Sequence, residues 1–246
     1  MACQRILVSS EQYCMCMQLE YSRWMMHGDI LFISKDGQKG YRKKSVLDLH
    51  KHRDDHQESL QFSASGWDIT LEKGYPLRLV GHVLNFLDGE DLLFDINLKD
   101  FGEREHVRLF SADGNLMIGE EEYLFAPAHS TALICRNEKS FEKQYRFAYT
   151  LNRQPICVQL DCSNAAQMNL YVWSGRNSEA KCSLTRQEGN GALLYTGEQG
   201  QIGIRELDAG IKTGKLIPVQ ACGSVRTKSG QTIRLQEQIG IGFKGA

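Results

Sequence analysis

From Tyr13 to Tyr21 the odd positions carry Tyr13, Met15, Met17, Leu19 and Tyr21, while the even positions carry Cys14, Cys16, Gln18 and Glu20. Successive side chains on a strand point to opposite faces, so this period of two predicts a β-strand with one apolar face. The pattern continues through Trp24 and Met26 to His27-Gly28-Asp29, and Ile30-Leu31-Phe32-Ile33 follows before Lys35-Asp36-Gly37. A β-hairpin and then a turn are expected there. Residues 1–12 precede the hairpin and read as an N-terminal arm.

Ser45-Val46-Leu47-Asp48 has capping-box spacing, and the stretch to Leu60 lacks Gly and Pro. That combination predicts a helix near 45–60. Beyond it, short apolar runs alternate with turn signals: Trp67 to Leu71, Leu77 to Phe86, Leu92 to Leu98, Val107 to Phe110, Leu116 to Ile118 and Tyr123 to Phe125, punctuated by Lys73-Gly74, Asp88-Gly89 and Asp113-Gly114. The same rhythm runs on from Ala132 to Leu235. Many short strands at this spacing predict a mainly β chain, a single-domain antiparallel β-sandwich of jelly-roll type over 13–246 with one or a few helices. The Gly-rich apolar tail from Ile239 to Ala246 is either tucked in or used in a contact.

Composition narrows the function classes. Twenty-nine Lys and Arg face thirty Asp and Glu, a net charge of -1. Such a balance implies neither a nucleic-acid surface nor a membrane patch, and it leaves little electrostatic barrier to association between copies. The opening apolar run, Ile6-Leu7-Val8, is too short for a secretion signal, so the eight cysteines are expected as reduced intracellular thiols.

The candidate chemistry is thin. His52 and His56 would lie four apart on a helix, a spacing that lets two imidazoles share a metal, with His50, Asp54 and Asp55 beside them. Lys43, Lys44, Lys51 and Arg53 oppose a cation there, and a solvated or interface-facing helix surface is the plainer reading. Cys14 with Cys16 and Cys157 with Cys162 lack zinc-site spacing and read as buried small apolar groups. Gly189-Asn190-Gly191, Gly197, Gly200 and Gly203 have strands where a phosphate loop needs a helix, so they read as hairpin turns. Trp24, Trp67 and Trp173 with nine Tyr offer either a sugar-binding platform or, as aromatic residues mostly do, core and contact surface. No catalytic residue and no metal ligand is assigned.

Ser10-Glu11-Gln12-Tyr13, the strand through Trp24, the turn at His27-Gly28-Asp29 and Ile30 to Lys35 together resemble the opening of the cypovirus polyhedrins. The charged segment Lys51-His52-Arg53-Asp54-Asp55 falls where those proteins carry a charged helix. Arg108, Asp113-Gly114, Gly119, Tyr123, Phe125 and Pro127 are similar to the family's spacing of Arg, Asp-Gly, Gly, Tyr, Phe and Pro. The resemblance implies a non-enzymatic viral matrix protein of the host cell cytoplasm. Its partners would be copies of itself, as trimers packed in a lattice, and the virus particles embedded in the resulting occlusion bodies. It implies no required cofactor; family members bind nucleotides, but no motif here carries that site onto particular residues. Such crystals dissolve in alkali, and a physical route follows from phenols and thiols becoming anions near pH ~10 and ~8.5. Tyr13, Tyr21, Tyr123, Tyr145 and Tyr149 are the candidate alkali-sensing groups. A carbohydrate-binding, lectin-like β-sandwich is the alternative.

Overall fold

The computed structural model describes residues 2–21, 26–34, 40–54, 57–64, 66–104, 106–136, 143–162, 166–175, 177–187, 193–207 and 216–244. All of its regular structure is strand, and the strands pair antiparallel, as the sequence leads one to expect. The first group comprises β1 (Ala2–Ser9), β2 (Tyr13–Tyr21), β3 (Met26–Ser34), β4 (Gly40–Asp54), β5 (Gln57–Ala64), β6 (Trp67–Lys73), β7 (Leu77–Leu87), β8 (Glu90–Arg104), β9 (Val107–Ile118), β10 (Glu121–Phe125) and β11 (Thr131–Arg136). The second comprises β12 (Lys143–Leu151), β13 (Gln154–Cys162), β14 (Gln167–Ser174), β15 (Asn177–Gln187), β16 (Leu193–Gly197), β17 (Gly200–Glu206), β18 (Leu216–Arg226) and β19 (Thr232–Lys244).

Strands pair with their chain neighbours, so the architecture is two successive meanders where a jelly-roll sandwich was expected. In the first, β1 through β9 run in order and β11 bridges β9 back to β1, which closes a ring; β10 extends β11's place along the other half of the β9 edge. In the second, β12 to β19 form a closed eight-stranded barrel sealed by β12 against β19. Closure removes the free edges that an open sheet exposes.

Three expectations change. The helix foreseen near 45–60 is strand: β4 and β5 pair from Asp48 with Ser63 to Asp54 with Gln57. Local propensity lost to the edge of β3, whose backbone groups need partners that β4 supplies. Residues Ala2 to Ser9, read as an arm, are β1, hydrogen-bonded on both sides by β2 and β11. Asp113-Gly114, read as a turn, lies inside β9. There Gly114 (φ +150°) opposes Ile96, and an added Cβ would stand 2.1 Å from the Asp95 carbonyl oxygen, so the close backbone approach requires glycine. Asp88-Gly89 does close the β7–β8 hairpin, with φ +46° and +95°, the paired positive dihedrals that two-residue turns require.

Each barrel is filled by inward side chains. Tyr13, Met15, Met17 and Leu19, the apolar face read from the sequence, enter the first core with Ile6, Val8, Phe32, Phe94 and Phe110. Phe94 lies on Gly81, its partner in register, where any Cβ would meet the ring at 2.1 Å. Tyr145, Phe147, Val158, Leu170 and Ile202 fill the second barrel. Outward side chains make a third core between the barrels: Leu7, Cys14, Cys16, Leu31 and Leu133 from the first, Ala148, Cys157, Trp173 and Ile241 from the second. Polar links also cross this junction, among them Thr131 Oγ1 to Thr150 Oγ1 at 2.8 Å and Gln238 Nε2 donating to Ser9 Oγ at 3.4 Å.

Candidate functional site

β8 and β9 turn one set of side chains into the core and the alternate set to the outside. On the outer wall Asn97 pairs in register with Asp113, and Lys99 with Ser111. The β6–β7 connection brings Tyr75 and Pro76 to this polar patch, and the segment between β10 and β11 brings Pro127 to it. Together they enclose a groove of about 310 Å³, at the lower end of ligand pockets in general. Tyr75 is 81% exposed, so its ring is available for contact rather than used for packing.

Next to the groove, Arg78, the register partner of Asn97, grips Asp95 through Nε–Oδ1 at 2.8 Å and Nη2–Oδ2 at 2.6 Å. That guanidinium holds the Asp95 carboxyl below the usual carboxylate range. The groove carries one cation, Lys99, and one anion, Asp113, so its formal charge balances. Its walls are two prolines and a phenol; its floor offers an amide, a hydroxyl, an ammonium and a carboxylate. This set offers faces for stacking and several groups for hydrogen bonding.

The sequence-derived candidates sit elsewhere. Tyr13 and Tyr123 meet inside the first barrel with ring centroids 5.2 Å apart, beside Phe32 and Phe125. The Tyr13 hydroxyl donates to the Leu124 carbonyl, and the Tyr123 hydroxyl to Glu121. Tyr145 is fully buried in the second barrel, and Tyr149 packs partly buried against the same core. Burial pushes the phenols of Tyr13, Tyr145 and Tyr149 above their ordinary range. Tyr21 ends β2, and its side chain lies outside the described residues.

His50 and His52 stand on β4, which removes the helical face on which His52 and His56 were to meet; His56 and Asp55 lie outside the described residues. Among the described residues no group of three His, Cys, Asp or Glu could hold a metal ion. Cys14 and Cys16 share the inter-barrel face, as their spacing requires, and burial raises both thiols well above their ordinary range. Cys157 and Cys162, five apart on one strand, point to opposite sides, one to the junction and one into the second barrel. Trp67 and Trp173 are buried, in the first core and the junction, and Trp24 lies outside the described residues. Gly197 and Gly200 face each other across the β16–β17 hairpin, while Gly189, Asn190 and Gly191 lie outside the described residues.

The sequence reading missed the groove because its residues are scattered over Tyr75 to Pro127; Asp113 and Pro127 were noted only for their spacing in the resemblance, not as parts of a site. The signal that was present is a bulky aromatic, Tyr75, placed in a turn between two strands, where no core is available to it.

No family model and no curated protein matches the chain. Among solved structures, a kievitone hydratase from Nectria haematococca is similar at a TM-score of 0.57 with 10% identity, covering 98% of this chain and 87% of that one. A porin-like protein from Bacteroides uniformis aligns over 98% of this chain and 94% of that one at 10% identity, with a TM-score of 0.23. At this identity the first likeness shows the fold alone, and the second carries no argument.

Proposed function

We propose that this chain is a non-enzymatic binding module whose outer groove takes a neutral sugar ring. The observation that carries this reading is Tyr75, solvent-exposed in a charge-balanced groove that Pro76 and Pro127 also line. A pyranose presents apolar C–H faces and a belt of hydroxyls. The phenol and prolines match the faces, and Asn97, Ser111, Asp113 and Lys99 match the hydroxyls as donors and acceptors. A shallow groove buries little of its ligand, so single-sugar affinity is expected near about 1 mM, or ~4 kcal/mol. Titration of neutral mono- and oligosaccharides by calorimetry tests the reading: saturable binding lost in Tyr75→Ala and weakened in Asp113→Asn is expected. Absence of binding to every sugar tried sinks it.

The self-assembling matrix protein is a second reading, supported by large apolar side chains on the outer wall. Leu84 and Leu93 are each 41% exposed and Leu124 is 63% exposed, on a molecule whose net charge opposes association weakly. In this reading the cytoplasm of an infected cell fills with crystals of the protein, embedding virus particles. Sedimentation at neutral pH separates the two: a monomer at high concentration favours the sugar-binding module, and concentration-dependent assembly lost in a Leu93→Asp, Leu124→Asp variant favours the matrix.

A further inference from the structure

Positive charge is gathered where the two barrels meet, on residues that share nothing with the Tyr75 groove. The contact there is backbone on backbone: a Cβ added to Gly102 would stand 2.5 Å from the Gly175 carbonyl carbon. Two residues on, Arg104 closes β8 in register with Val107, whose side chain belongs to the inter-barrel core. Arg104 therefore faces the second barrel, with its guanidinium carbon 5.7 Å from the centre of the Tyr171 ring. Lys181 is the cross-strand partner of Tyr171, and its ammonium stands 5.5 Å from the same centre.

Arg104 Nη1 is shielded from solvent and donates to no acceptor among the described residues. The ring face attracts each cation, yet it supplies neither a hydrogen-bond acceptor nor a counter-charge. Two like charges over one ring repel, and a desolvated charged donor left unmade is costly. Arg104 as a whole is half-buried and only Nη1 of its guanidinium is shielded, so an oxyanion accepting from its other nitrogens and drawn by the ammonium supplies the counter-charge that the ring lacks. Lys181 is solvent-exposed, which leaves the site open on that side.

We infer that Arg104 and Lys181, backed by Tyr171, bind an oxyanion, a phosphate or sulfate group, at the junction of the barrels. The test is titration of the full chain with inorganic phosphate and, separately, with sulfate, at ionic strength held constant with sodium chloride and read by amide shifts in NMR. One saturable site for at least one of the two anions is expected. Arg104→Met and Lys181→Met should each weaken it by about tenfold, and Arg104→Lys should retain part of the affinity. The exposed Lys181 variant keeps the test decisive if Arg104→Met does not fold. Shifts that chloride alone reproduces, or an affinity unchanged in Lys181→Met, overturn the inference.

Discussion

Strands β7 to β9 carry two unlike surfaces on alternate residues. Inward, Leu79, Phe94, Ile96 and Phe110 are buried in the first core. Outward, one or three residues away, Asn97, Lys99 and Asp113 line the groove under Tyr75. One backbone thus serves stability on one face and recognition on the other, and the pleat keeps the two separable by substitution. A closed barrel makes that separation cleaner than an open sheet, because its interior is already filled and only the outer wall is free for ligands.

The largest expected difference between the two faces comes from truncating an inward aromatic. Phe32→Ala removes a fully buried ring that touches Tyr123 at 4.6 Å between centroids. It should cost about 3–5 kcal/mol in denaturant unfolding; a loss below about 1 kcal/mol would mean that the inward face is not the stabilising one. Alkali should act on the same face. The raised phenols of Tyr13 and Tyr145 remain neutral in the fold while those of the unfolded chain ionise, so stability is fully present below the unfolded value near ~10 and falls as pH rises through the folded values. Tyr145→Phe should therefore flatten the decline in thermal midpoint measured from pH 9 to 12. Buried thiols at Cys14 and Cys16 work in the same sense, so alkali is expected to unfold the protein instead of merely charging its surface.

Smaller effects sharpen the boundary. Gly81→Ala drives a methyl into the Phe94 ring and should cost about 1–3 kcal/mol, while sugar binding by the folded fraction persists. Tyr75→Ala is the converse. Its stability should stay within about 0.5 kcal/mol of the parent while the groove loses its ligand, and a large drop in the melting midpoint would show that the ring packs rather than recognises.

How much of this was legible beforehand depended on what kind of signal each region carries. The start and the alternation of β2 were read from the sequence, because Tyr13 to Tyr21 alternates and alternation is a property of the strand itself; the pattern was carried on through Trp24 and Met26, whereas β2 ends at Tyr21 and Met26 opens β3. The capping-box segment from Ser45 was misread, since its helix-tolerant residues form β4 only where β3 and β5 offer partners. β1 was hidden for the same reason: a strand of eight residues at the chain start gains its identity from β2 and β11. The tyrosines named for alkali sensing were placed correctly on strands, but the burial that raises Tyr13, Tyr145 and Tyr149 belongs to the closed barrels.

The amino-acid order alone determined that the chain is mainly β, where most strands run and which face of β2 is apolar, because these follow from the alternation of side chains over neighbouring residues. Only the tertiary structure decided that the strands close into two barrels, that Tyr75 and Pro127 share a groove, and that Arg104 joins Lys181 over the Tyr171 ring. Those relations join residues dozens of positions apart through backbone pairing and barrel closure, and no local periodicity encodes which distant strand completes a ring.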